Sequence, residues 1–129
     1  MTREEERAIE HDCARLIAAY ANLNDAGAWA AVADLFTVDG RLARPTAPDT
    51  WIEGREAILA AFNARPACAT RHLCSNIVVT VLGPSEATAE SAMALFLSEE
   101  TVKVGSFRDG FVHTPAGWRF SERAGSLTF

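Results

Sequence analysis

Thr70-Arg71-His72-Leu73-Cys74-Ser75-Asn76-Ile77-Val78-Val79-Thr80-Val81-Leu82 contains the longest β-branched run of the chain. From His72 to Leu82 it reads as one long strand, closed by the turn-forming Gly83-Pro84-Ser85. Three more strands are expected beyond it, over Ala87 to Glu99, Val102 to His113 and Trp118 to Leu127, with a second tight turn at Thr114-Pro-Ala-Gly117. Turns this short join antiparallel neighbours, so the second half of the chain reads as an antiparallel meander.

The first half has a different period. Thr2 and Glu5 have capping-box spacing, which starts a helix near residue 3. Ile9, Cys13, Leu16, Ile17 and Tyr20 recur at steps of three and four and make one apolar stripe. Asn24-Asp-Ala-Gly27 interrupts the pattern. A second helix is expected from about Ala28 to Phe36, burying Trp29, Val32 and Phe36, and then a short strand from Val38 to Arg44. A third helix, about Arg55 to Asn63, buries Ile58, Leu59 and Phe62, and Pro66 stops it. Helices first and a meander after give an α+β class with helices on one face of the sheet. No repeat, linker or low-complexity tract divides the 129 residues, so residues 1–129 read as a single domain.

Composition narrows the function. The chain is 49% hydrophobic and 22% charged, with a formal net charge of −5 and no basic run. A nucleic-acid partner needs a concentrated basic surface, so none is expected. No apolar stretch approaches the roughly 20 residues that span a bilayer, so no membrane partner is expected either. Cys13, Cys68 and Cys74 are odd in number and lack metal-type spacing, which points to a reducing compartment. With a charged N-terminus unlike a signal peptide, a cytoplasmic location is expected. No HExxH, glycine-rich phosphate loop or carboxylate-histidine cluster is present, so neither a metal nor another cofactor is expected.

Chemistry concentrates on three residues. His72 stands at the mouth of the long strand, held by the sheet, and histidine titrates near neutral pH. Asp25 and Tyr20 end the first helix where the chain can fold back over that strand. A His oriented by an Asp, with a phenol beside it, is a general acid/base set. Each residue alone has a plainer use: Asp25 fits an N-cap for the second helix, Tyr20 a core position, and His72 a backbone-bonded imidazole. Strand alternation puts His72, Cys74, Asn76, Val78 and Thr80 on one face, polar at one end and apolar at the other, as in a pocket wall. Arg108 and Asp109 face opposite sides of their strand. Arg123 is expected either at a cavity mouth or in a surface salt bridge.

The order Tyr20…Asp25…Trp29…Leu35-Phe36…Asp39-Gly40, Gly54-Arg-Glu-Ala-Ile58, Thr70-Arg-His-Leu…Asn76, Gly105-Ser-Phe-Arg-Asp109 and Gly117-Trp-Arg119…Arg123 resembles the SnoaL-like family of the nuclear transport factor two superfamily. The resemblance implies a strongly curved antiparallel sheet forming a cone, three helices closing an apolar pocket, and a homodimer through the sheet face. It implies dehydratase-like chemistry, a cofactor-free lyase or isomerase acting on a small hydrophobic, cyclic molecule. Asp25 and His72 would be its dyad and Tyr20 its hydrogen-bond donor. Trp29, Phe36, Phe62, Asn76, Phe107 and Arg123 are the expected substrate-binding residues. A polyketide cyclase, or a non-catalytic binding or accessory subunit, is the alternative. Ala28 stands where many relatives carry a second Asp, and Phe107 where a Tyr is common, so the pocket is expected to be drier than theirs.

Overall fold

Thr2 accepts a hydrogen bond from the Glu5 amide at 3.1 Å, and the Glu5 carboxylate accepts one from the Thr2 amide at 2.6 Å. That box opens helix α1, Arg3–Asp25. Glu4, Glu5 and Glu6 in its first turn complement the positive end of the helix dipole. All five residues of the stripe, Ile9 through Tyr20, are buried. Gly27, at φ +69°, makes the turn that ends the run. The computed structural model describes residues 1–66, 68–98 and 100–128.

Helix α2 is shorter than its Ala-rich sequence suggests, Trp29–Ala33. Phe36 instead opens strand β1, Phe36–Ala43, because the backbone there pairs with the last strand: the Phe120 amide donates to the Leu35 carbonyl at 2.8 Å. Tertiary pairing overrides helix propensity at this point. Val32 and Phe36 are buried as the pattern required. Strand β2, Trp51–Glu53, follows, and α3 covers Arg55–Asn63. Arg55 donates from Nε to the Phe36 carbonyl at 3.0 Å, tying α3 to the start of β1.

The meander runs β3 (Arg71–Gly83), β4 (Glu86–Phe96), β5 (Val102–Thr114) and β6 (Gly117–Ser126). Glu99, where the sequence reading ended the second of these strands, lies outside the described residues. The six strands form one curved, unclosed sheet in the order β2-β1-β6-β5-β4-β3. Four of the five strand pairs are antiparallel as expected, and one departs from the expectation: β1 runs parallel to β6. The exception is possible because β1 and β6 are joined by a long path through β2, α3 and the first three meander strands rather than by a hairpin. Among the described residues no helix is long and apolar enough to cross a membrane.

One irregularity decides which side chains meet. Between Ser75 and Val78 the register of β3 against β4 jumps by a residue, and Asn76 sits at φ +53°. This β-bulge reverses the alternation. Ile77, Val79 and Val81 therefore pack on the core beside Cys74, whereas Val78 and Thr80 are exposed. The face expected from simple alternation holds only as far as Cys74. The core itself is aromatic: Phe36, Phe111 and Phe120 are fully buried, and each such side chain contributes roughly 1.5–3 kcal/mol.

Candidate active site

Asp25 is the last residue of α1, where a carboxylate meets the negative end of the helix dipole. It does not cap α2, whose N-cap is Ala28 with no side-chain bond. Three donors converge on it instead. The His72 amide donates to Oδ2 at 2.9 Å, the Thr70 hydroxyl to Oδ1 at 2.9 Å, and His72 Nδ1 lies 2.5 Å from Oδ1. The two side chains are 8% and 10% exposed. Both oxygens of the carboxylate are thus fixed by Thr70, just before β3, and His72 within it, and Nδ1 of the imidazole is committed. Nε2 has no partner among the described residues, and His72 lines a cavity of about 100 Å³.

Tyr20, Phe62 and Phe107 line the same cavity. The Tyr20 ring meets Phe36, Phe62, Phe107 and Phe120 edge-on, at centroid distances of 6.1 to 6.4 Å. Burial pushes the Tyr20 phenol above its usual range, with Arg123, Arg65 and Arg44 pulling the other way. The phenol is a neutral hydrogen-bond donor at physiological pH.

The other expected binding residues are distributed differently. Trp29 stacks on Phe62 at 5.2 Å and supports the wall without forming it. Phe36 lies in the core behind Tyr20. Asn76 is exposed at the bulge, carried away from the cavity by the change of alternation just described. Arg123 is neither at a mouth nor on the surface. It is fully buried and 3.3 Å from Asp109, which is its cross-strand neighbour between β5 and β6. Arg108 is exposed and Asp109 buried, as their alternation required.

The buried pair is poorly bonded. Among the described residues both carboxylate oxygens of Asp109 and all three guanidinium nitrogens of Arg123 lack an aligned hydrogen bond, so the contact is electrostatic. The guanidinium lies over Phe107 at 3.7 Å and Tyr20 at 4.4 Å, where cation–π attraction replaces part of its hydration. Burial pushes the Asp109 carboxyl up to about 6, against the opposing charge of Arg123. Burial also raises the Cys74 thiol, with Arg123 again opposing.

Sequence reading missed four polar residues of the cavity, Asn24, Arg44, Thr46 and Arg65. Arg65 Nη1 donates to Asn24 Oδ1 at 3.4 Å. Arg44 follows β1 and Arg65 follows α3, two elements that were themselves legible, and both line the cavity together with Asn24 of the last turn of α1.

A model of the SnoaL-like domain matches residues 5–124. The chain belongs to the SnoaL-like domain family. Among solved structures, this SnoaL-like chain is similar to an NTF2-like protein with a cystatin-like fold from Novosphingobium aromaticivorans, at 31% identity over 94% of this chain and 84% of that one, with a TM-score of 0.81. It is similar in fold to a putative scytalone dehydratase from the same organism, at 20% identity, 96% and 87% coverage and a TM-score of 0.83. A function-unknown protein from Mycobacterium tuberculosis is 27% identical over 95% of this chain and 74% of that one, with a TM-score of 0.79. No curated protein matches the sequence. The SnoaL-like family includes cyclases and dehydratases.

Proposed function

We propose that this SnoaL-like protein is a cofactor-free lyase or isomerase of the dehydratase type, with His72 as its base. The observation that carries the proposal is an imidazole that lines the cavity with Nδ1 bound to Asp25 and with no partner for Nε2 among the described residues. In a dehydration, Nε2 takes the proton from a carbon next to an activating carbonyl. The C–H electron pair becomes the new double bond, the C–O bond breaks, and the hydroxyl departs as water after receiving a proton from the imidazolium. Asp25 holds the ring and sits against the positive charge while it exists. Tyr20, a neutral phenol, donates a hydrogen bond to the oxygen that gains charge. In an isomerisation the same proton is returned to another carbon.

Size restricts the substrate. An engineered cavity of about 150 Å³ holds one benzene, so a volume of about 100 Å³ suits a single small ring or a short chain, not a polycycle. Small β-hydroxy carbonyl compounds, screened for loss of water by the ultraviolet absorbance of the conjugated product, test the proposal. Turnover that falls about 10²- to 10⁴-fold in His72→Gln supports it. Turnover retained in that variant removes His72 from the mechanism, and a ligand bound at His72 but returned unchanged assigns the cavity to binding.

The partner expected from the resemblance, a second copy of the chain, is proposed to cover the outer face of the sheet. Leu73 and Val78 of β3 and Val104 of β5 are large apolar side chains exposed there. Light scattering that gives a monomer at high micromolar concentration would remove the dimer.

A further inference from the structure

The cavity beside His72 has a charge opposite to that of the protein around it. The sequence holds 17 acidic and 12 basic residues, yet among the described residues the cavity is lined by Arg44 and Arg65 and by no acidic side chain. Asp25, the nearest acid along the dyad, stands behind the imidazole and is already bound by three donors. Among the described residues neither arginine forms an ion pair.

Arg65 is also held in place. Its guanidinium lies 5.6 Å from the ring centroids of both Trp29 and Phe62, and Nη1 donates to Asn24, a buried side chain at the last turn of α1. A guanidinium presents five donors in a fixed fork, so one bond to Asn24 leaves most of them open. Arg44 is carried to the same cavity by the end of β1, followed by Pro45. Gly125 lets that loop come close, since a β-carbon there would stand 2.5 Å from the Pro45 ring. Both arginines are partly exposed, whereas Tyr20, Phe62 and Phe107 are buried. The cavity therefore grades from apolar and sealed to cationic and open. In a volume of about 100 Å³ one small molecule touches both ends.

We propose that the substrate is a small apolar molecule bearing a carboxylate, which Arg44 and Arg65 bind at the outer end while its hydrocarbon part reaches His72. This rests on the reading of the cavity as the substrate site, and it names the substrate class. Arginine suits the task because its planar fork matches the two oxygens of a carboxylate. Two guanidiniums also offset the negative charge that would otherwise oppose removal of a proton from a neighbouring carbon. Selection works by charge: a neutral amide of the same shape leaves both guanidiniums without an anion.

Crotonate and crotonamide are such a pair, and both fit the volume. In a titration followed by amide proton–nitrogen NMR, crotonate is expected to shift His72 and Asn24 and to bind at least tenfold more tightly than crotonamide. Arg44→Gln and Arg65→Gln are each expected to weaken crotonate by roughly tenfold, as loss of a charge-assisted bond does, and to leave crotonamide unchanged. Lysine at either position should restore part of the preference. Equal affinities for the two compounds, absence of crotonate binding, or shifts confined to the outer sheet face would overturn the proposal. Because binding alone is read, the outcome is separate from the lyase reading: charge preference without turnover of any hydroxy acid sinks the lyase, and turnover without charge preference sinks the carboxylate.

Discussion

Two buried carboxylates in this molecule each face a nitrogen-bearing side chain, and the two pairs differ in every respect that matters to chemistry. Asp25 and His72 come from elements far apart in sequence and meet at 2.5 Å with further aligned donors around the carboxylate. Asp109 and Arg123 are cross-strand neighbours in a hairpin, stand 3.3 Å apart, and have no aligned hydrogen bond among the described residues. The first pair opens on a cavity and the second has 0% exposure on both side chains. A proton can leave or reach His72 without unfolding anything. The Asp109–Arg123 pair has no such path, and its charge serves the packing of Tyr20 and Phe107, which lie against the guanidinium. Burial of charge alone does not mark a catalytic residue, and the role proposed for His72 needs the open edge that Arg123 lacks.

The largest effect should come from breaking the sealed pair. Arg123→Met leaves the Asp109 carboxylate buried without compensation and should cost about 3–5 kcal/mol in urea denaturation. The loss depends on pH, and its sign follows from burial. The folded pKa of Asp109, about 6, lies above its ordinary 3.8, so the folded chain holds a proton that the unfolded chain has released. Stability from this group is fully present below about pH 4 and is lost as pH rises through about 6, by on the order of 3 kcal/mol. Without Arg123 nothing opposes burial, and Asp109 stays protonated to higher pH. The variant should therefore lose more relative to the wild type at pH 8 than at pH 5. Replacing both residues, Arg123→Met with Asp109→Leu, should recover most of the stability. If the double variant is as unstable as the single one, the pair is not the source of the cost.

Breaking the open pair should spare the fold and remove activity. His72→Gln should lower turnover by about 10²- to 10⁴-fold. Asp25→Asn keeps one acceptor for the Thr70 and His72 donors but presents an amide to the imidazole, and should lower turnover at least about tenfold. Its thermal midpoint should move far less than that of Arg123→Met. Equal destabilisation by the two variants would make Asp25 a structural residue like Asp109 and erase the contrast.

The two pairs were unequally legible. Asp25, His72 and Tyr20 stood out because each lies at the end of an element whose period is clear, and α3 and the four meander strands were readable for the same reason. The Asp109–Arg123 pair was hidden by a single residue. From the turn at Thr114–Gly117, regular pairing would set Asp109 against Glu122, but the register slips between Gly110 and Phe111 and brings Arg123 opposite instead. One inserted residue moves side chains to the other face, and the hydrophobic pattern hardly records it. The same happened to Asn76, and α2 was overestimated because its alanines favour a helix that sheet pairing ends. Arg44 and Arg65 were missed because arginines after a strand or helix are mostly solvated, and only the cavity volume shows what they share.

The smallest expected effect tests the irregularity in β3, on the strand that carries the open pair's imidazole. Asn76 adopts φ +53°, a conformation that asparagine and glycine tolerate and β-branched residues resist. Asn76→Gly should change stability by no more than about 0.5 kcal/mol, the gain in backbone ease offsetting the entropy of the unfolded chain. Asn76→Val should cost about 1–2 kcal/mol, because its β-carbon strains the left-handed conformation. The consequence for the site is more telling than the energy. If valine forces β3 into regular alternation beyond Ser75, Ile77 and Val79 turn outward, the strand under His72 loses its packing, and the His72–Asp25 contact loosens while Asp109–Arg123 is untouched. The ring-nitrogen NMR signals of His72 would then lose the signature of a bonded Nδ1 in Asn76→Val and keep it in Asn76→Gly. Identical His72 signals in both variants would mean that the dyad is set by α1 and the first residues of β3 alone.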